Sequence, residues 1–219
     1  MGVTLWAIWY ARRKFIHEGL HQSPLSTHLF ITNFIAELDQ LKEPSTSHAI
    51  MSSGEVRSAW VPPPEGFGKI NADGGISLDH NVGTAAAICR DREGNYLGSS
   101  ILVVQGATDP ATVEALACRE AQALARDLSL QSIQVASDCK QVISHINQGV
   151  GGNYASIIRE VTETTSFFTA CNFVFEPRTS NFEAHRLARS GVSLPMGRHI
   201  WLGHPHDANI IPVNILTMQ

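Results

Sequence analysis

Three acidic residues stand where folding has no evident need of a carboxylate. Asp73 closes the strand-like run Lys69-Ile70-Asn71-Ala72, and Asp138 closes a second, Ile133-Gln134-Val135-Ala136-Ser137. Glu114 falls in the first turns of an Ala- and Leu-rich helix between them. Acids at the ends of buried strands are costly to dehydrate unless a cation or a donor compensates them. That cost is the reason to suspect divalent-metal chemistry. Each also has an ordinary reading. Asp73 fits a turn before Gly74-Gly75, Glu114 fits the positive end of a helix dipole, and Asp138 fits an N-cap.

The elements that must position these acids alternate in type. Strands are expected at 68–73, 83–90 and about 95–104, with a turn at Gly74-Gly75 and a hairpin at Asp91-Arg92-Glu93-Gly94-Asn95. Asp109 and Pro110 open a helix to about 128, with Val113, Leu116, Ala117 and Leu124 on its inner face. A strand at 131–137, a helix at 139–148 ending at Gly149, and a helix near 154–167 follow. A strand at 172–177 then leads to a last helix at 181–190. This order implies a mixed α/β sheet of five strands flanked by helices. Upstream, 1–42 reads as a helical extension and 43–59, rich in Ser, Pro, Glu and Thr, as a linker. The domain proper spans 60–192. Pro195, Pro205 and Pro212 give 193–219 the look of an irregular C-terminal tail, in which His204-Pro205-His206 reads as exposed rather than chelating.

Composition narrows the function classes. The 219 residues suit one domain with extensions, and 43% hydrophobic with 16% charged residues is globular. Net charge is −4, so nucleic-acid binding would need a local basic cluster or ions bridging carboxylates to phosphates. Cys89, Cys118, Cys139 and Cys171 form no Cys-x-x-Cys pair and read as buried thiols in a reducing compartment. No apolar run approaches the roughly 20 residues of a membrane span. The N-terminal basic residues follow the apolar run instead of preceding it, which is the wrong order for a secretory signal. An intracellular protein is expected, in nucleus or cytoplasm.

The segments Lys69-Ile70-Asn71-Ala72-Asp73-Gly74, Val113-Glu114-Ala115-Leu116-Ala117, Ala136-Ser137-Asp138-Cys139-Lys140 and Arg178-Thr179-Ser180-Asn181-Phe182-Glu183-Ala184-His185-Arg186-Leu187-Ala188 carry a resemblance. In this order they resemble the ribonuclease H fold, and more narrowly the plant ribonuclease H-like domains related to non-LTR retrotransposon reverse transcriptases. Trp60 with Pro62-Pro63-Pro64, the Arg90–Gly94 turn and the upstream Leu5-Trp6-Ala7-Ile8-Trp9 fit the same group.

That resemblance implies two divalent cations about 4 Å apart around a scissile phosphate. Magnesium is expected, with manganese the other candidate. Asp73 would bridge the ions, Glu114 would ligate one, and Asp138 the other or both. The family's fully active members place Asp where this chain has His185. A neutral imidazole there can ligate a metal, shuttle a proton, hydrogen-bond a metal-bound water, or be a surface residue without a role. Glu183, two residues away on a helix, points elsewhere. Backbone contacts to an RNA–DNA hybrid are expected near Gly74-Gly75, with Lys140, Arg178 and Asn181 as phosphate or positioning contacts. Asn181 equally fits an N-cap.

The leading function is therefore metal-dependent endonucleolytic hydrolysis of RNA in RNA–DNA hybrids. The alternative is a catalytically weak or inactive nucleic-acid-binding module derived from a retroelement. A 3′–5′ exonuclease on the same fold fits less well. Such enzymes pair two acids as Asp-x-Glu on the first strand, where this chain has Asn71-Ala72-Asp73.

Overall fold

The computed structural model describes residues 60–215, and Arg12 of the segment before them. All but Arg12 belong to the second of the chain's two units, Glu55–Gln219. The helical extension expected over 1–42 and the linker over 43–59 lie outside the described residues.

Strict alternation starts the domain. β1 (Gly68–Ser77) sends Ile70 and Ala72 into one apolar cluster and sets Lys69, Asn71 and Asp73 on its other face. β2 (Val82–Arg90) is buried along its whole length and pairs antiparallel with β1; β3 (Tyr96–Gln105) pairs antiparallel with β2. The small side chains of β2 let apolar groups close in from both sides. Ala85 and Ala87 join one cluster, Ala86 the other.

The first helix, α1 (Pro110–Asp127), starts where the Asp109 carboxylate accepts the Thr112 N–H at 2.8 Å. Its Val113, Leu116, Ala117 and Leu124 are buried, as a 3.6-residue period requires. β4 (Ser132–Ser137) follows, then α2 (Lys140–Gln148), which Gly149 stops at a left-handed φ of 68°. α3 (Ala155–Thr164), β5 (Ala170–Phe175), α4 (Phe182–Ser190) and β6 (Gly197–Leu202) complete the domain. None of the described helices is long and apolar enough to cross a membrane.

The strands form one mixed sheet in the order β5-β4-β1-β2-β3-β6, with β1, β4 and β5 parallel. α1, α2 and α3 cover one face around Ile70, Leu124, Val135, Val142 and Ile158. α4 and the C-terminal segment cover the other around Ala86, Ile88, Ile101, Leu187 and Ile211. The expected class, a mixed sheet flanked by helices, is present with a sixth strand.

That strand corrects the reading of 193–219 as an irregular tail. β6 pairs antiparallel with β3 from Gly98↔Leu202 to Val103↔Gly197, and Ile211 is fully buried. The Tyr96 N–H donates to the Val213 carbonyl at 2.8 Å. The prolines fall outside the strand, where they cost the sheet no hydrogen bond. The expected turn at Gly74-Gly75 is likewise corrected, because both glycines lie inside β1. A Cβ on Gly74 would come within 3.0 Å of the Glu114 nitrogen, and one on Gly75 within 2.5 Å of Thr84 Oγ1. These glycines serve close approach, not reversal. The chain reverses after Ser77, where Asn81 takes a φ of 51°.

A buried ion pair fixes α4. Arg90 gives Nε to Glu183 Oε2 at 2.9 Å and Nη2 to Oε1 at 2.7 Å. Its remaining donors reach the Gly94 and Pro212 carbonyls. Glu183 thus points away from the acids, as its helical offset predicts. Removing one member of such a pair strands a charge in the interior, at about 3–5 kcal/mol. Glu183→Ala is accordingly expected to lower urea-unfolding stability by about that amount. A loss below about 1 kcal/mol would mean that Arg90 finds water instead.

Candidate metal centre

The sheet forks beside Asp73. β4 pairs with β1 only as far as Ala72↔Ser137, whereas β1 continues to Ser77 against β2 alone. Asp138 follows the last residue of β4 and Glu114 lies in the first turns of α1, so both reach the gap that the fork leaves. One carboxylate oxygen from each of Asp73, Glu114 and Asp138 lies within 4.8 Å of the others. Asp73 is 2% exposed, and the other two are half-buried. Among the described residues this is the acidic grouping with metal-ligand geometry; His204 and His206 join none.

The acids do not tolerate one another. Burial, then the charge of Asp138, pushes the Asp73 carboxyl up to about 8, against a partial offset from Arg178. Burial, followed by the charges of Asp73 and Asp138, holds Glu114 well above the usual carboxylate range. The Gly74 N–H and the Ser137 hydroxyl, 3.5 Å from Oε2, oppose that rise. Ser137 is itself fixed by the Cys139 N–H at 3.1 Å. The donor set fits a hard divalent cation. It offers only hard oxygens, they are within reach of one ion, and two are open enough for water to complete the shell.

The face of β1 that carries Asp73 bears a polar ladder. Lys69 Nζ donates to Glu176 Oε1 at 2.6 Å and to the Val61 carbonyl, and lies 5.3 Å from the centre of the Trp60 ring. Asn71 Nδ2 donates to Asn181 Oδ1 at 2.9 Å, and Asn181 Nδ2 to the Ala72 carbonyl at 2.9 Å. Asp73 Oδ2 lies 3.1 Å from His185 Nδ1, and Arg178 Nη2 lies 2.7 Å from His185 Nε2. Nη2 is also 3.4 Å from Nδ1, so the guanidinium lies against the imidazole ring while Nδ1 faces Asp73.

The structure sorts the expected site residues. Asp73, Glu114 and Asp138 come together; His185 stands behind Asp73, and Arg178 behind His185. Lys140 is exposed at the first residue of α2, and Gly74 is half-exposed beside Glu114. Gly75 is buried against Thr84 and Ala188, so it offers no backbone to a substrate. Asn181, expected as a substrate contact or N-cap, is 1% exposed. It occupies the N-cap position of α4 without a capping bond, and its amide is spent on β1. The reading of single residues missed the contacts of His185 with Arg178 and Asp73 and the support from Ser137. Polar residues at every second position of Lys69-Ile70-Asn71-Ala72-Asp73 were the available sign that this face of β1 meets polar partners.

Known proteins agree with this architecture. A family model described as "Reverse transcriptase-like" matches residues 71–191. No curated protein matches the sequence. Among solved structures, the N-terminal RNase H domain of a Mycobacterium tuberculosis protein is 21% identical, covering 57% of this chain and 92% of that one, with a TM-score of 0.52. The ribonuclease H1 of Halobacterium salinarum is 18% identical, covering 57% and 96%, with a TM-score of 0.50. At such identities the likeness is one of fold, and the domain is ribonuclease H-like.

The crowded acids leave a pH signature. A carboxyl whose pKa rises on folding keeps its proton in the native state after the unfolded chain has released it. Between about 4 and about 8, stability therefore falls as pH rises. In EDTA, the melting temperature is expected to be lower at about pH 8.5 than at about pH 5.5. Asp73→Asn should make this dependence shallower and raise the higher-pH value by about 3 °C or more. A variant curve parallel to the wild type would place the pH dependence elsewhere.

Proposed function

This chain belongs to the reverse transcriptase-like family, and on that premise we propose that it is a divalent-metal-dependent endonuclease cutting the RNA strand of RNA–DNA hybrids. The convergence of Asp73, Glu114 and Asp138 within 4.8 Å, at the open fork of a ribonuclease H-like sheet, carries the reading. The four motifs at 69–74, 113–117, 136–140 and 178–188 support a narrower kinship with plant domains of retrotransposon descent. A reducing, intracellular setting fits the free cysteines.

Magnesium, or manganese in its place, is the ion we assign to Asp73, Glu114 and Asp138. When bound, such an ion supplies the positive charge that lowers the pKa of an attacking water and stabilises a leaving 3′-oxygen. The chain's own groups do the positioning. The Gly74 N–H and Ser137 Oγ orient Glu114, and the His185 imidazole, with Nδ1 3.1 Å from Oδ2, orients Asp73. Lys140 and Arg178, both exposed, supply cations for the hybrid's backbone, which sets register and not sequence. The RNA strand is told from DNA by its 2′-hydroxyls. The observation that favours the second reading, a non-catalytic binding module, is His185. It sits between Arg178 and Asp73 where active relatives carry an acid.

Cleavage of a labelled RNA–DNA hybrid decides between the two. The wild type is expected to cut in magnesium or manganese and to stop in EDTA. Asp73→Asn, Glu114→Gln and Asp138→Asn should each slow cleavage by at least about 100-fold, since several kcal/mol of charge stabilisation depend on the bound ion. Hybrid binding without metal-dependent cleavage, or equal cleavage by Asp73→Asn, would leave the binding module as the function.

A further inference from the structure

The open side of β6 differs from the rest of the domain surface. Of nine large hydrophobic side chains exposed among the described residues, three, Met196, Ile200 and Leu202, fall within seven consecutive positions. β6 ends the sheet, and among the described residues no strand pairs with its outer side. The Gly203 N–H donates inward to the Leu97 carbonyl at 3.0 Å. By antiparallel alternation, the main-chain groups of His199 and Trp201 also turn toward β3, and those of Arg198, Ile200 and Leu202 turn toward the open edge. The same three side chains share the sheet face under α1, where Arg198 reaches Glu120 and Asp127 at 2.6 Å each. Ile200 and Leu202 remain 40% and 50% exposed there.

Such an edge is normally blunted by a charge, a proline or a bulge. Apart from being short, β6 carries none of these. Pro195 and Pro205 lie outside Gly197–Leu202, no register shift interrupts its pairing with β3, and Glu120 and Asp127 take up the charge of Arg198. We propose that the edge is an interface for a second copy of this chain, β6 pairing antiparallel with β6 about a two-fold axis at Ile200. In that register Ile200 meets Ile200 of the partner subunit, and Arg198 meets the partner's Leu202. All three outward residues then exchange their N–H and C=O groups, and no arginine faces an arginine. The aliphatic stem of Arg198 covers the partner's Leu202. A slip of one residue would set outward groups against inward ones, and a slip of two would leave one of the three without a partner inside the strand. A patch that is its own complement closes at two copies. Pairing there needs no bound ion and leaves the acidic site uncovered, since β1 lies three strands in from β6.

The contact is small, so a dissociation constant of about 10–100 μM is expected. Sedimentation of the full-length chain from about 5 to about 500 μM should show a monomer passing to a dimer and going no further. Ile200→Lys sets two ammonium groups against each other at the axis and should move the midpoint at least about 10-fold higher, with folding checked by circular dichroism. Leu78→Lys, at an exposed leucine between β1 and β2, should leave the midpoint where it is. A monomer throughout the series would overturn the proposal, as would a dimer undiminished in Ile200→Lys. Assembly beyond two copies would overturn the closed pairing.

The register is read by covalent capture. Opposed hydrogen-bonded residues have Cα atoms about 5.5 Å apart, within reach of a disulfide. In oxidised glutathione, Ile200→Cys should form a reducible covalent dimer well above the level of the wild type with its own four cysteines. Leu202→Cys should not, because its counterpart lies four residues along the partner strand, roughly 14 Å away. Capture at 202 but not at 200, or at both alike, would overturn the two-fold axis at Ile200. Capture at neither, in a chain that sediments as a dimer, would overturn the edge pairing itself.

Discussion

The buried polar face of β1 is the constraint on which the rest of the domain depends. Lys69, Asn71 and Asp73 stand about 7 Å apart in the centre of the sheet, where unpaired polar groups are costly. Each is met by a residue from one later segment: Glu176 at the end of β5, Asn181 at the start of α4, and His185 one helical turn on. Burial pushes the Lys69 ammonium down, and the Glu176 carboxylate opposes the push. A shift of any member breaks the bond it makes across the ladder. The ladder thus converts a desolvation cost into a fixed height of α4 along β1.

The acids occupy the point where that ordered face meets the fork. As β4 ends its pairing at Ser137, β1 loses a neighbour on one side, and backbone that would be covered in a continuous sheet is left open to an ion and its waters. Gly74 lets α1 come close enough for Glu114 to reach the gap, since any side chain would strike the helix backbone. The arrangement costs stability in the absence of a cation, because three carboxylates are held together with one of them deeply buried. Such local conflict with folding is characteristic of sites kept for function.

Much of this was legible in the chain because the signals were local. The Asp109-Pro110 start of α1, its apolar period, the glycine stop of α2 and the order of the elements all follow from neighbouring residues. The acids stood out because their types conflict with their positions. What escaped was long-range. β6 is a short edge strand whose partner β3 lies about a hundred residues earlier, and nothing within Gly197–Leu202 announces that pairing. Gly74-Gly75 permits a turn or a close approach, and only Glu114, Thr84 and Ala188 decide which. Asn181 and His185 have ordinary helix-start and helix-surface readings until Asn71 and Asp73 are set beside them.

Two independent attachments explain why His185 can be aimed at all. Residues 181 and 185 share a helix face, while residue 183 is about 200° around the axis from 181. Asn181 and His185 pin α4 to β1, and Glu183 pins it to Arg90 at the end of β2. One attachment alone would leave a short helix free to roll about its contact. Two in different directions remove that freedom. Arg90 can serve as the second anchor only because the C-terminal segment supplies the Pro212 carbonyl to a donor that would otherwise be buried unsatisfied. The segment beyond β6 therefore bears on the acidic site from a distance: it completes the shell of the arginine that holds the glutamate that sets the rotation of the helix carrying His185.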